Sequence, residues 1–268
     1  MKKKAETKKI AVITGASSGI GFAAAKLFIR KGYTVYGLSR NGVSDAEKIE
    51  FIPCDLADDA QVAAALEQII AAEGRIDVLV NNAGMGIAGP AEDANMTDAR
   101  YIFEVNFFGA VKTVKAAAAV MREKGGGSIV NVSSVAGVFP IPFQSFYSAT
   151  KAALSIWSEA ASLELRPFDI RVSAVLPGDV KTNFTAVRRK VADMPAHYAK
   201  KGDKSIAAME KDEMNGMPPE KVARAIYGAA TRKKPRPLRV VGGKYKLFVF
   251  LNRFLPRRFI DWLIGKMY

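Results

Sequence analysis

Short runs of apolar, mostly β-branched residues alternate along the chain with longer segments whose apolar positions recur at helical spacing. The short runs predict strands at 9–14, 34–39, 49–53, 78–81, 128–133 and 171–176, and the longer segments predict helices at 21–31, 59–72, 99–122 and 148–165. Strands that are apolar almost throughout must be covered on both faces, as parallel strands are. The pattern therefore predicts an α/β fold with a doubly wound parallel sheet, which binds its ligands beyond the carboxyl ends of the strands.

The regular alternation ends after residue 176. Residues 177–217 are rich in Lys, Met and Ala, and we expect one or two short helices there, forming a lid or substrate wall over the ligand crevice. In residues 244–268 apolar and basic positions alternate at helical spacing, which predicts a helix pair with Pro256 in the first turn of the second helix. We therefore divide the chain into a basic tail at 1–9, a single α/β domain at 10–232 and a basic amphipathic extension at 233–268.

Two interpretations of the extension remain open. The helix pair can pack on the domain or on another subunit, or it can lie on an anionic membrane surface, because Lys and Arg beside Trp and Phe suit that interface. The stretch FPIPF at 139–143 predicts an apolar pocket wall close to the ends of the strands. Together these features suggest a lipophilic substrate, such as a steroid, a retinoid or a fatty-chain compound.

Composition and charge narrow the function classes. A chain of 268 residues that is 49% hydrophobic can bury a sizeable core. Its net charge of +14 divides into +4 at residues 1–9 and +10 at 232–268, and the neutral body argues against a nucleic-acid groove through the fold. No apolar run reaches the roughly 18 residues of a bilayer span. We expect a cytoplasmic protein, with peripheral membrane contact as an option, in which the single cysteine, Cys54, is a buried thiol.

A glycine-rich turn, TGASSGIG at 14–21, joins the first strand to the first helix. Gly15, Gly19 and Gly21 permit a tight turn that brings backbone N–H groups and the positive end of the helix close to a pyrophosphate. The spacing Gly-x3-Gly-x-Gly differs from the Gly-x-Gly-x-x-Gly of common Rossmann domains. A plain strand-to-helix turn is the alternative, but the position inside a βαβ unit favours binding of a dinucleotide.

The ends of the next strands carry candidate contacts to the adenosine. Ser39 and Arg40 stand where an NAD-binding domain has an acid against the ribose 2′-hydroxyl. A guanidinium suits a 2′-phosphate, so we predict NADP(H) rather than NAD(H). Asp55 is a candidate acceptor for the adenine amine, although capping of the next helix explains it nearly as well. Asn81 and Asn82 fit ligand contact and a purely structural role equally.

Ser134, Tyr147 and Lys151 are the strongest candidates for chemistry. Tyr147 and Lys151 are four residues apart and share one helical face, and Ser134 ends a strand 13 residues before the tyrosine. A free phenol has a pKa of about 10 and is a poor base at neutral pH. We expect the Lys151 ammonium and an oxidised nicotinamide ring to lower that pKa. Tyr147 would then exchange a proton with a substrate oxygen to which Ser134 donates a hydrogen bond.

Over roughly residues 8–232 the motifs and their order resemble the classical short-chain dehydrogenases/reductases, whose fold is of the Rossmann type. The resemblance implies a catalytic tetrad of Asn106, Ser134, Tyr147 and Lys151, with spacing that selects Ser134 over Ser133. It implies that Asn106 interrupts its helix and holds a water in a proton relay. It also implies that Lys151 holds the nicotinamide ribose.

The resemblance further implies that the loop at 177–182 binds the carboxamide, through the Val180 backbone and the Thr182 hydroxyl, and it assigns no role to Asp179 or Lys181. The implied cofactor-binding set is Gly15, Ser17, Ser18, Gly19, Ile20, Gly21, Ser39, Arg40, Asp55, Leu56, Asn82, Ala83, Gly84, Tyr147, Lys151, Pro177, Gly178, Val180 and Thr182. NADP enzymes of the family often have a basic residue where Ser18 stands, so the cofactor prediction rests on Arg40. The extension beyond the family's usual core is a second departure.

The sequence therefore predicts an NADP(H)-dependent oxidoreductase that acts on a carbonyl or secondary alcohol and forms a homo-oligomer. The alternatives are a non-catalytic NADP(H)-sensing or scaffold protein, and a module that binds a membrane surface or nucleic acid through its basic ends. No set of His, Cys and acidic residues has metal-ligand spacing, so we expect no catalytic metal. The only histidine, His197, is expected at the surface.

Overall fold

The computed structural model describes residues 8–41, 48–191 and 194–268. Most of the predicted basic tail at 1–9 lies outside the described residues. The strands are β1 (Ile10–Thr14), β2 (Thr34–Ser39), β3 (Ile49–Pro53), β4 (Val78–Asn81), β5 (Ile87–Ala88), β6 (Gly127–Val132), β7 (Ile170–Pro177), β8 (Arg189–Lys190) and β9 (Leu238–Val241). The helices are α1 (Gly19–Arg30), α2 (Asp59–Glu73), α3 (Met96–Phe103), α4 (Gly109–Glu123), α5 (Ser145–Leu165), α6 (Phe184–Val187), α7 (Ala196–Met214), α8 (Pro219–Thr231), α9 (Gly243–Leu251) and α10 (Arg257–Met267).

Seven strands form one sheet in the order β3-β2-β1-β4-β6-β7-β9, and every neighbouring pair is parallel. This confirms the doubly wound sheet, and the six predicted strands differ from the observed ones by at most one residue at either end. The seventh strand, β9, lies beyond residue 232, so part of the segment assigned to the extension completes the sheet. A separate pair, β5 and β8, lies at the ligand side.

Helices cover both faces of the sheet because successive strand residues point to opposite sides. Leu79 and Ile129 are buried in one core with residues of α2 and α4. Their neighbours Val80 and Val130 are buried in the other core with residues of α1 and α8. The continuous apolar strands of the sequence are therefore explained by two separate cores, and the carboxyl ends of the strands are left free to form a site.

The predicted helix at 99–122 is in fact three elements. The α3 and α4 helices are separated by one turn of π-helix at Glu104–Phe108, which contains Asn106. Single π turns of this kind occur often at functional sites. The interruption agrees with what the family resemblance implies for Asn106.

The segment after β7 forms a wall over the ends of the strands, as predicted, although α7 is a long helix of 19 residues rather than a short one. The β8 strand joins this wall to the body by pairing with β5. The Arg189–Asp98 ion pair also joins the wall to α3. Two further ion pairs, Arg188–Glu213 and Lys190–Glu210, link segments within the wall.

The extension forms the predicted pair of helices, α9 and α10, with Pro256 immediately before the second helix rather than inside its first turn. Among the described residues, no helix combines the length and the apolar character that crossing a membrane requires. The pair packs over the ligand side of the domain, so the packing interpretation of the extension is confirmed for one of its faces.

Candidate active site

The glycine-rich turn has the backbone that its sequence predicts. Gly15 and Gly19 have positive φ angles of 65° and 54°, which residues with a Cβ atom rarely adopt. Gly21 is required for a different reason, because a Cβ atom there would overlap the Gly15 carbonyl oxygen. Ser18 is the N-cap of α1, but its side chain makes no capping hydrogen bond. The amides at the start of α1 are thus available to an anion.

Asn82 and Thr14 brace this turn from the next strand. The Thr14 hydroxyl accepts hydrogen bonds from the backbone N–H groups of Asn82 and Ala83, each at 3.0 Å. The Asn82 amide donates to the carbonyl oxygens of Thr14 at 3.0 Å and Gly15 at 3.2 Å. Asn81 is buried and bonded to Asn131 and Thr113. The structural role that sequence left open is therefore present for both asparagines.

The other predicted adenosine contacts lie beside the turn. Arg40 is exposed at the end of β2, and the Ser39 hydroxyl donates to the Asn41 carbonyl at 2.7 Å. The Asp55 carboxylate accepts from the backbone N–H of Ala57 at 3.0 Å. Asp58, not Asp55, caps α2. The capping alternative for Asp55 is therefore wrong, and Asp55 lines the ligand crevice.

One cavity of about 630 Å³ runs along the carboxyl ends of the strands. Every residue of the implied cofactor-binding set lines this cavity except Gly21. The absence of a side chain at Gly21 lets α1 pack closely against the glycine turn. Ser134 lines the same cavity, whereas Asn106 lies just outside it. The sequence motifs, which are spread over 168 positions from Gly15 to Thr182, therefore meet in one site.

Tyr147 and Ser134 lie together in this cavity, at the start of α5 and the end of β6. Burial raises the pKa of the Tyr147 phenol to about 12, although the Ser134 hydroxyl opposes that shift by hydrogen bonding. The expected lowering of this pKa by Lys151 is not found, and burial is the largest influence on the phenol. The phenol is thus protonated at neutral pH and can donate a proton.

Lys151 is buried one helical turn after Tyr147, with its ammonium 5.9 Å from the centre of the Tyr147 ring. The ammonium donates a hydrogen bond to the Val132 carbonyl at 2.9 Å. Burial lowers the pKa of this ammonium to about 8. A buried lysine with a lowered pKa beside a tyrosine that lines a cavity is typical of a functional site rather than of a surface pair.

Asn106 is buried in the π turn between α3 and α4. Its amide oxygen accepts from the Met85 backbone N–H at 2.8 Å, and its amide nitrogen donates to the Met85 carbonyl and to the Thr150 hydroxyl. Gly84 lies in front of it, where an added Cβ atom would be 3.2 Å from the Asn106 amide oxygen and 3.4 Å from the Lys151 ammonium. Asn106 therefore joins the strand end to the helix that carries Tyr147 and Lys151.

The loop after β7 closes the cavity from the other side. Thr182 packs against the glycine turn, since an added Cβ atom at Gly19 would lie 3.2 Å from the Thr182 side chain. Val180 is buried and bridges to Met217. Gly178 lies under the ring of Tyr245, which leaves no room for a side chain. The predicted carboxamide loop is thus held between the glycine turn and the extension.

The far end of the cavity is apolar. Phe139 and Ile141 line it as expected, whereas Phe143 is buried behind them against Tyr198. The Phe184 ring lies 5.5 Å from the Tyr147 ring. The extension supplies further lining residues: Lys244, Tyr245, Phe248, Leu251, Leu255, Phe259, Ile260, Leu263, Ile264, Met267 and Tyr268.

Several residues of the site were missed by sequence reasoning. Asp179, which the resemblance left without a role, accepts a hydrogen bond from the Tyr245 hydroxyl. Glu213 lines the cavity while it is paired with the buried Arg188. Neither contact has a sequence signal, because the partners are 66 and 25 residues apart.

Two other predictions concern residues away from the reacting groups. Cys54 is buried, as expected, and burial raises the pKa of its thiol to about 11. His197 is exposed, as expected, but its nitrogen and the carboxylates of Glu92 and Asp93 come within 4.8 Å of one another. The fold therefore assembles a group with metal-ligand chemistry that sequence spacing did not reveal, on the surface of the protein.

Comparison with known proteins gives consistent matches. A sequence model of the short chain dehydrogenase family matches residues 9–193. The 3-ketodihydrosphingosine reductase of Bacteroides thetaiotaomicron is 39% identical over 265 residues, which cover 97% of this chain and 98% of that protein. A crystal structure of a short-chain dehydrogenase from Streptomyces avermitilis is 33% identical, with a TM-score of 0.82 over 92% of this chain and 93% of that one. The structure of ElxO with NADP bound is 28% identical, with a TM-score of 0.75 over 90% of this chain and 99% of that one.

Proposed function

The chain belongs to the short-chain dehydrogenase family, and from that premise we propose that it is an NADP(H)-dependent oxidoreductase of a lipophilic ketone or secondary alcohol. The family is one of oxidoreductases that act on alcohol and carbonyl groups with a nicotinamide cofactor. The observation that carries the proposal is that Ser134, Tyr147 and Lys151 line the same cavity as the glycine turn. A non-catalytic scaffold or sensor has no physical need for these three side chains together.

The proposed reaction divides between the cofactor and the chain. NADPH, when bound, supplies a hydride to the carbonyl carbon, and NADP⁺ accepts it in the reverse reaction. Tyr147 donates its proton to the carbonyl oxygen, and its pKa of about 12 keeps it protonated at neutral pH. Ser134 donates a hydrogen bond to the same oxygen. The Lys151 ammonium stabilises the phenolate that remains, and Asn106 positions α5 through Thr150.

The preference for NADP(H) is supported by Arg40 and Ser39 at the end of β2. The cavity includes both residues, and the described residues that follow β2, which are Arg40 and Asn41, offer no acid to bind a ribose 2′-hydroxyl. The exposed guanidinium suits the extra phosphate. The binding of NADP by the related ElxO supports the same choice.

A lipophilic substrate is supported by the apolar end of the cavity. Phe139, Ile141 and Phe184 face it from the body, and Phe248 and Leu263 face it from the extension. Burial of a hydrocarbon chain against such side chains is favourable in proportion to the area removed from water. The name of the Bacteroides relative, a 3-ketodihydrosphingosine reductase, supports a long-chain ketone.

A substrate screen tests the proposal. The purified protein is mixed with NADPH or NADH and with ketones of increasing chain length, and the loss of reduced cofactor is followed by absorbance. We expect kcat/KM to rise with the length of the hydrocarbon chain and to be higher with NADPH. Small polar sugars serve as the control. Reduction of the sugars, with no turnover of the lipophilic ketones, would refute the substrate class.

We also propose that the protein is a homo-oligomer. The support is an apolar strip on α5, where Ile156 is 70% exposed and Leu163 is 62% exposed on the same helical face. Burial of this strip against a second copy would remove it from water. Light scattering gives the mass in solution, and a monomer at micromolar concentration would contradict the proposal.

A further inference from the structure

We propose that the outward side of the C-terminal helix pair binds the surface of an anionic lipid bilayer. We call this side the outward face and define it by the large apolar residues that do not line the cavity, which are Leu247, Phe250, Phe254 and Trp262. The binding itself is independent of catalysis. Only its purpose, the supply of a lipophilic substrate, rests on the proposed function.

The α9 and α10 helices are apolar on two sides. Their inner side lines the cavity. Their outer side is exposed, with accessible fractions of 55% for Leu247, 56% for Phe250, 71% for Phe254 and 54% for Trp262. Four large exposed apolar side chains between residues 247 and 262, two of them in contact, indicate an interaction surface, because a soluble surface rarely exposes such a set without a partner.

The charge around the outward face identifies the partner. Residues 243–268 contain six Lys and Arg residues and a single acid, Asp261. Arg257 is paired with that acid at 3.1 Å. Lys246, Arg253 and Arg258 are exposed and make no ion pair within the part of the chain that the structure describes. These cations are complementary to anionic lipid head groups.

The aromatic residues have the arrangement that a membrane interface favours. The Trp262 ring stacks on Phe259 with centroids 5.7 Å apart, and the Lys266 ammonium lies 4.4 Å from the Trp262 ring. The Phe250 and Phe254 rings meet at 5.2 Å. Aromatic rings beside cations at this density are typical of helices that lie in the head-group region.

A second copy of the chain fits this face less well. A two-fold contact would bring the same cations of both copies together, because each partner contributes the same surface. The repulsion would be strongest where Arg253 and Arg258 flank the apolar residues. Nucleic acid would match the charge but would leave the exposed apolar side chains in water.

The position of the face links membrane binding to the site. The helices that carry it also form the apolar wall of the cavity, through Phe248, Leu251 and Leu263 among others. With the outward face in the head groups, only the helix pair separates the cavity from the bilayer. A lipophilic ketone would then have a short path between the two.

Flotation of the full-length protein with vesicles tests the proposal. One vesicle set contains phosphatidylcholine with phosphatidylglycerol, and the other contains phosphatidylcholine alone. We expect at least ~10-fold stronger binding to the anionic vesicles, and weaker binding at high salt because exposed charges are screened. Trp262 provides a second readout, since a Trp157→Phe background leaves it as the only tryptophan and its emission should shift to shorter wavelength on binding.

Variants separate the two components of binding. Phe254→Ser with Trp262→Ser removes apolar area, and Arg253→Glu with Arg258→Glu reverses charge. Each pair should reduce binding at least ~10-fold. The control for the apolar pair is Met96→Ser with Met214→Ser, which are exposed apolar residues elsewhere on the protein. The control for the charge pair is Lys115→Glu with Lys221→Glu, which are exposed lysines. Reduction of a short, water-soluble ketone should be unchanged in all of them.

The outcomes are distinct. Equal flotation of the outward-face variants and the unchanged chain, or no flotation of the unchanged chain, would overturn the proposal. A fall in oligomeric mass in the outward-face variants, with no loss of vesicle binding, would assign the face to a second copy and also overturn it. Vesicle binding by a protein that reduces none of the ketones would refute the proposed function and leave the membrane proposal standing.

Discussion

The Tyr245 hydroxyl donates a hydrogen bond to the Asp179 carboxylate, which ties the C-terminal extension to the loop predicted to bind the nicotinamide carboxamide. The Tyr245 ring covers Gly178 so closely that no side chain could stand there. Lys244 adds an ion pair to the same carboxylate at 3.7 Å. The extension is therefore part of the active-site wall and not an independent appendage.

This contact leads to a prediction for Tyr245. Replacement by alanine removes the ring that covers Gly178 and the hydrogen bond to Asp179, so the extension should loosen over the cavity. We expect kcat/KM for a long-chain ketone to fall at least ~10-fold, mainly through KM, because substrate burial is reduced. Tyr245→Phe keeps the ring, so its kcat/KM should fall less than that of Tyr245→Ala. Unchanged steady-state kinetics in Tyr245→Ala would contradict the assigned place of the extension.

Arg40→Asp tests the choice of cofactor. An aspartate would accept hydrogen bonds from a ribose 2′-hydroxyl and repel a 2′-phosphate. The ratio of kcat/KM with NADPH to that with NADH should fall at least ~10-fold, and Arg30→Asp, at the far end of α1, should leave it unchanged. If the ratio is as high in Arg40→Asp as in Arg30→Asp, Arg40 does not determine the cofactor preference.

Lys151 should lower stability while it serves catalysis. Its pKa falls from 10.5 to about 8 on burial, so the unfolded chain binds more protons than the folded one between these values. The free energy of unfolding should therefore rise with pH from about 8 to 10.5, and below pH 8 the full cost of the buried charge remains.

Lys151→Met removes that cost. At pH 7 the free energy of unfolding of the variant should exceed that of the unchanged protein by about 1–3 kcal/mol. This difference should vanish towards pH 10. The variant should retain little activity. Urea unfolding at pH 7 and at pH 9.5 measures the effect. A variant that is less stable at pH 7, or a difference that does not depend on pH, would show that burial of this charge is not the dominant cost.

The catalytic constellation could be predicted because its signals are local in the sequence. Tyr147 and Lys151 are one turn apart on a helix, and Ser134 ends a buried strand, so strand and helix patterns alone bring them to the same edge of the sheet. The glycine turn is equally local. Gly21 could be recognised as a required glycine, but only the structure shows that its role is contact with the Gly15 carbonyl and not contact with the cavity.

Features that depend on contacts between distant segments could not be predicted. The hydrogen bond from Tyr245 to Asp179 spans 66 positions, and the surface group that includes Glu92 and His197 exists only once the wall is folded. The direction of the pKa shift of Tyr147 could not be predicted, for a related reason. The sequence reveals a neighbouring cation, but it does not reveal how much protein surrounds the phenol, and burial is the largest influence on this pKa.

Tyr147→Phe is the sharpest test of the proposed proton transfer, because it removes the phenol oxygen and leaves the ring in place. The measurements are turnover of the best ketone from the screen and the Kd for NADPH, with Tyr198→Phe as the control on the surface. We expect a loss of turnover of at least ~10²-fold with the Kd for NADPH nearly unchanged. Full turnover in Tyr147→Phe would contradict the proposed proton transfer.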